Sequence, residues 1–322
     1  MGLIQKLNNA MAEQTFARST MQGYRFWNRK FYGYTNKPAS QWNGPDVRAF
    51  MLWLYDEKYS PVSRKQALNA LAFTFKHVLN ADMGNLELPP MPKVHHTLRI
   101  VPSREEIARI FAGMRGQVKL MAGIMYGSGL RVGCECCRLR VHDVDLEALT
   151  LRIWNSKGDK SRLTILPVLL VPALRRQIAW RAALHEQDLA AGGGFVELPG
   201  RLALKYKNAN RELGWQFLFP SNVVRGQYRW HTTDESVSKQ MRAAVKAAGI
   251  LKRITPHCLR HAFATHAMQS GNDIKTVQEL LGHEDLNTTA IYLHADAARG
   301  TSPLDALAAP VKPLPRIEFQ NA

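Results

Sequence analysis

Apolar positions along the first ninety or so residues recur at helical spacing. Over residues 20–34, Tyr24, Phe26, Trp27, Phe31 and Tyr32 interleave with Arg25, Arg29 and Lys30. Aromatics at helical spacing more often form a core than stack on bases, and are read as core here. Gly44-Pro45-Asp46 opens a second helix running through Met51 to Tyr55. Ser60-Pro61 caps a third, which carries Arg64, Lys65, Leu68, Leu71 and Phe75 to about Leu79. Basic residues between the apolar positions suit a small helical domain that contacts DNA.

The pattern breaks at Leu88-Pro89-Pro90-Met91-Pro92-Lys93, a proline-rich stretch unsuited to helix. It divides the chain into a helical domain (1–90), a linker (91–102) and a second domain (103–296), with a tail (297–322) punctuated by prolines. Ser103-Arg104-Glu105-Glu106 is a capping box opening the second domain. Helices are predicted over 105–114, 117–126, 131–139, 171–189, 236–248 and most of 255–293. Two short strands, 150–154 and 162–166, flank a polar turn that holds Lys157 and Lys160. Residues 192–222 read as irregular. The expected fold is mainly α with a small antiparallel β-sheet.

The 322 residues suit two domains, and 46 % apolar content supplies real cores. A formal net charge of +17 favours a polyanionic partner. No apolar run is long enough to span a bilayer, no signal peptide is visible, and Lys6 stands where N-myristoylation at Gly2 wants Ser or Thr. Nucleic acid is therefore the expected partner, without a membrane, in the cytoplasm. Cys134, Cys136, Cys137 and Cys258 lack zinc spacing and read as reduced, mostly buried thiols. There is no acidic metal triad, and no metal or other cofactor is expected. Asn287-Thr288-Thr289 matches a glycosylation acceptor that has no meaning without secretion.

The sharpest chemistry lies near the end. Thr255-Pro256 opens a helix on which His257 and Arg260, three apart, share a face. A further helix ends in Gly282-His283, and nine residues on come Tyr292 and His294. Singly, each residue has an ordinary structural explanation. Together, His257-x-x-Arg260-His261, Leu280-Leu281-Gly282-His283 and Tyr292-x-His294 resemble the C-terminal box of the tyrosine recombinases, the phage-integrase family. Gly129-Leu130-Arg131 and the following Leu139-Arg140-Val141-His142-Asp143-Val144-Asp145 resemble its first arginine box. Ser156-Lys157-Gly158-Asp159-Lys160-Ser161-Arg162 resembles its lysine-bearing β-hairpin. The three boxes fall in the family's order, and the likeness covers nearly the whole chain.

The resemblance implies a C-shaped two-domain clamp on DNA and strand exchange through a covalent 3′-phosphotyrosine. Storing the phosphodiester energy in such an ester removes any need for ATP. Tyr292 is then the nucleophile, and Arg131 and Arg260 hold the non-bridging oxygens. Lys157 protonates the leaving 5′-oxygen. His257 serves as acid–base or phosphate donor, and His283 donates to the phosphate or orients the nucleophile. Lys160 and Arg162 are read as phosphate contacts or solvated charges.

One departure stands out. The family places an acidic residue three after the first arginine and an aspartate eleven after it; here Glu135 is four after Arg131 and Asp143 twelve after. An added helical residue rotates what precedes it by roughly 100° unless it is absorbed locally. Either a bulge near residues 133–135 absorbs it, with Glu135 buried beside a donor, or the site is damaged and the chain is a DNA-binding relative with impaired cleavage. The bulge is the preferred expectation.

Phe195-Val196-Glu197-Leu198-Pro199, Lys205-Tyr206, the segment from Trp215 to Ser221 and Asp234-Glu235-Ser236-Val237 resemble the extra segment of integron integrases. That likeness implies capture of gene cassettes, with double-stranded sites and folded single-stranded hairpins as partners. Trp215, Phe217 and His231 are candidate contacts to extruded bases, against the alternative that the two aromatics are core. Arg229-Trp230-His231-Thr232 and Lys207 depart from the subfamily. The alternatives are a phage or transposon integrase or a chromosome-dimer resolvase. The family's assembly is a tetramer on paired sites, each tail docking on a neighbour.

Overall fold

The structure is a computed structural model that describes residues 2–16, 18–90, 99–156, 160–199 and 202–282. The chain divides into two compact units, Met1–Thr97 and Leu98–Ala322.

In the first unit, α1 (Leu3–Glu13), α2 (Arg18–Thr35), α3 (Gly44–Asp56) and α4 (Pro61–Thr74) follow one another. Asn43 caps α3 by accepting from the Asp46 amide, and Ser60 caps α4 by accepting from that of Ser63; proline stands in the first turn of both helices, as the sequence predicts. A wider helical turn, Phe75–Leu79, continues α4 and ends on Asn80 in the left-handed region. Trp27, Phe31, Trp42, Phe50, Leu54, Leu71 and Phe75 form the core. The interleaved aromatics of α2 therefore split: Trp27 and Phe31 are buried, while Phe26 and Tyr32 are exposed.

The first helix of the second unit, α5 (Arg104–Ala112), is capped by Ser103, whose side chain and that of Glu106 complete the expected capping box. Then come α6 (Gly116–Ser128), β1 (Val144–Asp145), β2 (Thr150–Ser156), β3 (Lys160–Ile165), α7 (Val171–Ala190), α8 (Leu202–Lys205), β4 (Pro220–Arg225), β5 (Tyr228–His231), α9 (Asp234–Ala247), α10 (Pro256–Gln269) and α11 (Ile274–Leu281). The strands β1-β2-β3 form one antiparallel sheet and β4-β5 a second. Helix α6 is buried nearly all round, through Val118, Met121, Ile124 and Met125, and is the centre on which α10, α5, α7 and β3 pack, while α9 packs on α5 and α10.

Two expectations need correction. Residues 131–139 are not a helix but a set of turns closed by a 3-10 turn, Cys136–Arg138. The β4-β5 hairpin was not anticipated; Gly226, at φ +59°, makes its turn in the left-handed region that glycine reaches without a steric penalty. Of the cysteines, Cys136, Cys137 and Cys258 are buried but Cys134 is exposed. Among the described residues no helix is long and apolar enough to cross a membrane. The tail 297–322 and most of the linker lie outside the described residues.

Candidate functional site: a carboxylate among three arginines

Helix α6 ends on Gly129, at φ +70°. A Cβ there would lie 2.6 Å from the Phe263 ring and 2.9 Å from Leu281, so only glycine lets α6 meet α10 and α11 this closely. Arg260, on α10, uses that contact. It donates to the Gly129 carbonyl (2.5 Å) and the Leu281 carbonyl (2.7 Å), at the C-terminal ends of α6 and α11. Those carbonyls lack intrahelical partners and carry the negative end of the helix dipole, which a cation complements.

The next residues absorb the additional position. The Cys136 amide donates to the Arg131 carbonyl (2.8 Å) and the Cys137 amide to that of Val132 (2.9 Å). Both bonds span five residues, the spacing of a π-type bulge, which takes up one residue beyond the α-helical register. Cys134 is carried outward and Glu135 inward, to 3 % exposure. The expected bulge is present.

The Glu135 carboxylate collects three arginines. It accepts from the Arg131 amide (2.8 Å) and Arg131 Nη1 (2.6 Å), and from Arg162 through both Nη1 (2.8 Å) and Nη2 (2.9 Å). Arg260 Nη1 lies 3.5 Å away. Burial alone would raise its pKa. The Arg162 hydrogen bonds, the charges of Arg162 and Arg260 and the Arg131 amide outweigh it and hold the carboxyl at about 2. Glu135 is thus ionised, and one negative charge fixes Arg131 and Arg260 side by side with positive charge in excess.

His257 lies one turn before Arg260 on α10, its ring edge-on to His261 at 4.5 Å between centroids. Arg99 Nη1 is 3.3 Å from His261 Nδ1. Burial first, then the charges of Arg260, Arg99 and Arg131, lower the His257 pKa below the ordinary histidine value. The ring is therefore neutral at pH 7 and able to accept a proton. Among the expected site residues, the structure brings together Arg131, Arg260 and His257. Lys157, His283 and Tyr292 lie outside the described residues, as does the Lys160 side chain, although the Lys160 backbone starts β3.

Of the two roles expected of it, Arg162 does not take that of a solvated charge. Its side chain is 9 % exposed and also donates through Nε to the Leu280 carbonyl (2.9 Å). The alternation along β3 held the signal: Arg162, Thr164 and Leu166 point inward while Leu163 and Ile165 face solvent. Arg99 also went unnoticed, and no motif marks it.

Residues 192–222 are pinned by buried polar groups. Arg140 pairs its backbone with Phe217, sits 4.6 Å over the Phe217 ring and donates to the carbonyls of Trp215 and Glu197. Arg181 holds the Phe217 carbonyl and the buried Gln216 side chain. Phe217 is accordingly core at 5 % exposure, closing off its face to a base and correcting its assignment as a base contact. His231 packs on Phe217 and bonds to the Thr232 carbonyl. Trp215 is half-buried, 4.4 Å from the His142 ring, which leads on to the exposed Trp154. Asp143 braces that group, accepting from Trp154 Nε1 (2.6 Å) and lying 3.1 Å from His142 Nε2.

Residues 103–299 match the phage integrase family, and residues 3–85 match the N-terminal SAM-like domain of phage integrases. An integrase/recombinase of Escherichia coli is 38 % identical over 307 residues, covering 91 % of this chain and 90 % of that protein. Tyrosine recombinase XerD of Agrobacterium fabrum is 27 % identical, covering 88 % and 86 %. The same fold occurs in a lambda integrase dimer bound to a COC′ core site (TM-score 0.64, 15 % identity, 96 % of this chain and 79 % of that one). It also occurs in XerH bound to palindromic difH substrate (TM-score 0.61, 20 % identity, 95 % and 84 %). With most of its length matched in this way, the chain belongs to the phage integrase family and is a tyrosine recombinase, a site-specific enzyme that cleaves and rejoins DNA.

Proposed function

We propose that the chain is an integron integrase that inserts and excises gene cassettes, with Tyr292 as nucleophile and Arg131, Lys157, His257, Arg260 and His283 as its catalytic partners. The observation that carries the chemistry is Glu135 holding Arg131 and Arg260 together. Their guanidiniums meet the non-bridging oxygens of the scissile phosphate and stabilise the charge that builds on the five-coordinate transition state. Neutral His257 takes the phenolic proton of Tyr292, or donates to the phosphate once protonated. The Tyr292 oxygen bonds to phosphorus as the bond to the 5′-oxygen breaks, and Lys157 supplies the proton to that oxygen. His283 steadies the phosphate or the nucleophile. The bulge that absorbs the extra residue argues for a working site over a cleavage-impaired relative.

The cassette reading rests on the segment 192–222 and on Trp215 beside His142, whose ring in turn meets Trp154, a partly accessible aromatic group that suits unpaired bases. His231 borders the same segment. The working assembly is a cytoplasmic tetramer on paired sites. A gel shift comparing a folded single-stranded hairpin carrying extruded bases with its fully paired duplex tests the reading. Tighter binding of the hairpin, reduced in Trp215→Ala, is expected. A uniform preference for the duplex overturns it in favour of a phage or transposon integrase or a chromosome-dimer resolvase, which share the chemistry.

A further inference from the structure

Arg162 joins three parts of the catalytic unit. All three of its side-chain nitrogens donate to protein: Nη1 and Nη2 to Glu135, Nε to the Leu280 carbonyl. The neighbouring chain is fitted to it. Gly282, at φ +64°, lies so near that a Cβ would stand 2.9 Å from Arg162 Cδ.

Its place in the hairpin gives the contact a purpose. Strands β2 and β3 pair regularly from Thr150↔Ile165 to Ile153↔Arg162, and the register then shifts before Ser156↔Lys160. The Ile153–Arg162 rung is therefore the last regular one on the Lys157 side of the hairpin. Thr164 secures the same strand two rungs back by donating to the Ser128 carbonyl (3.0 Å). Beyond Arg162 the direction of the hairpin depends on how firmly that rung is held. The holding group is the same carboxylate that fixes Arg131 and Arg260.

We propose that Arg162 is a positioning residue that sets the β2-β3 hairpin against Glu135 and α11, so that Lys157 meets the 5′-oxygen of the phosphate held by the arginine pair. The proposal rests on Lys157 being the general acid. Displacing such a group by about 1 Å can cost up to about 10²-fold in rate.

The test uses the full chain and a duplex that it selects from a random-sequence pool, made with oxygen or with sulfur at the 5′-bridging position of the mapped scissile phosphate. With sulfur, the Tyr292 oxygen–phosphorus bond forms as the phosphorus–sulfur bond breaks. The thiolate leaves without needing a proton, because a thiol is far more acidic than an alcohol. Covalent adduct formation is followed at saturating DNA for wild type, Lys157→Ala, Arg162→Gln and Arg162→Lys. On the oxygen substrate Lys157→Ala is expected to fall by about 10² or more, and both Arg162 variants by about 10-fold or more. On the sulfur substrate all three are expected to return to within about 3-fold of wild type at a temperature where each variant is folded, since neither glutamine nor lysine reproduces the bidentate pair and both lower the melting temperature. If sulfur restores Lys157→Ala but neither Arg162 variant, Arg162 acts on the arginine pair or on stability, and the proposal fails. If sulfur does not restore Lys157→Ala, the assignment of the general acid fails first.

Discussion

Replacing Glu135 with glutamine removes the one negative charge among Arg131, Arg162 and Arg260 while keeping the shape of the side chain. The glutamine oxygen still accepts from the Arg131 amide, but its NH2 must face Arg162 or Arg131 donors where an oxygen accepted before. The magnitude follows from the carboxyl pKa, held at about 2 against an ordinary 4.5. At about 1.4 kcal/mol per pH unit this corresponds to about 3 kcal/mol of stability. Because the folded-state value is depressed, that stability is complete above pH 4.5 and disappears as pH falls towards 2. Breaking a buried pair by removing one partner gives a similar figure, about 3–5 kcal/mol. In a unit of this size about 3 kcal/mol lowers the melting temperature by about 6–12 °C. Thermal unfolding of the full chain, followed by circular dichroism from pH 7 down to pH 2.5, measures the gap between wild type and Glu135→Gln. The gap should be full at pH 7 and shrink below pH 4.5. Melting within about 1 °C of wild type at pH 7, or a gap independent of pH, refutes the view of Glu135 as a charged hub.

Gly129→Ala places a Cβ against Phe263 and Leu281 in the left-handed region; a loss of about 2–4 kcal/mol in urea unfolding is expected, and a neutral result would show that α6 does not need the close approach. Deleting Cys134 turns the two five-residue hydrogen bonds into ordinary four-residue ones and removes no buried side chain, so adduct formation should stay intact or rise; its loss would make the bulge itself a requirement of the site. DNA affinity should fall steeply between 50 and 200 mM salt, roughly the range where counterion release is strongly felt, given the net charge of +17. A flat salt dependence in filter binding would remove phosphate contacts as the main source of affinity.

The parts of the fold visible in the sequence were those with local signals. Ser60-Pro61, Ser103 to Glu106 and Thr255-Pro256 start helices by capping chemistry that depends on a few adjacent residues, and all three start where expected. The bulge was legible because a spacing was one residue too long. Its outcome, a turn in place of a helix over 131–139, depends on Glu135 turning inward to arginines 27 and 125 residues away, which no local window contains. Arg162 was misread because a charged residue is exposed by default. Phe217 was misplaced because its burial is created by Arg140 and Arg181, distant in sequence, folding residues 192–222 onto the domain. Motif order singles out Arg131, Arg260 and His257, and the structure adds the ion cluster that joins the two arginines.

The most direct measurement of the central claim is covalent trapping on a duplex nicked beside the scissile phosphate, followed by mass spectrometry of the digested adduct. The nick lets the short 5′-bearing strand diffuse away, so the phosphotyrosine accumulates. The DNA should be found on the peptide containing Tyr292, and Tyr292→Phe should bind the duplex as wild type does while forming no adduct. An adduct that persists in Tyr292→Phe, or that maps to another residue such as the exposed Tyr206, would contradict the account.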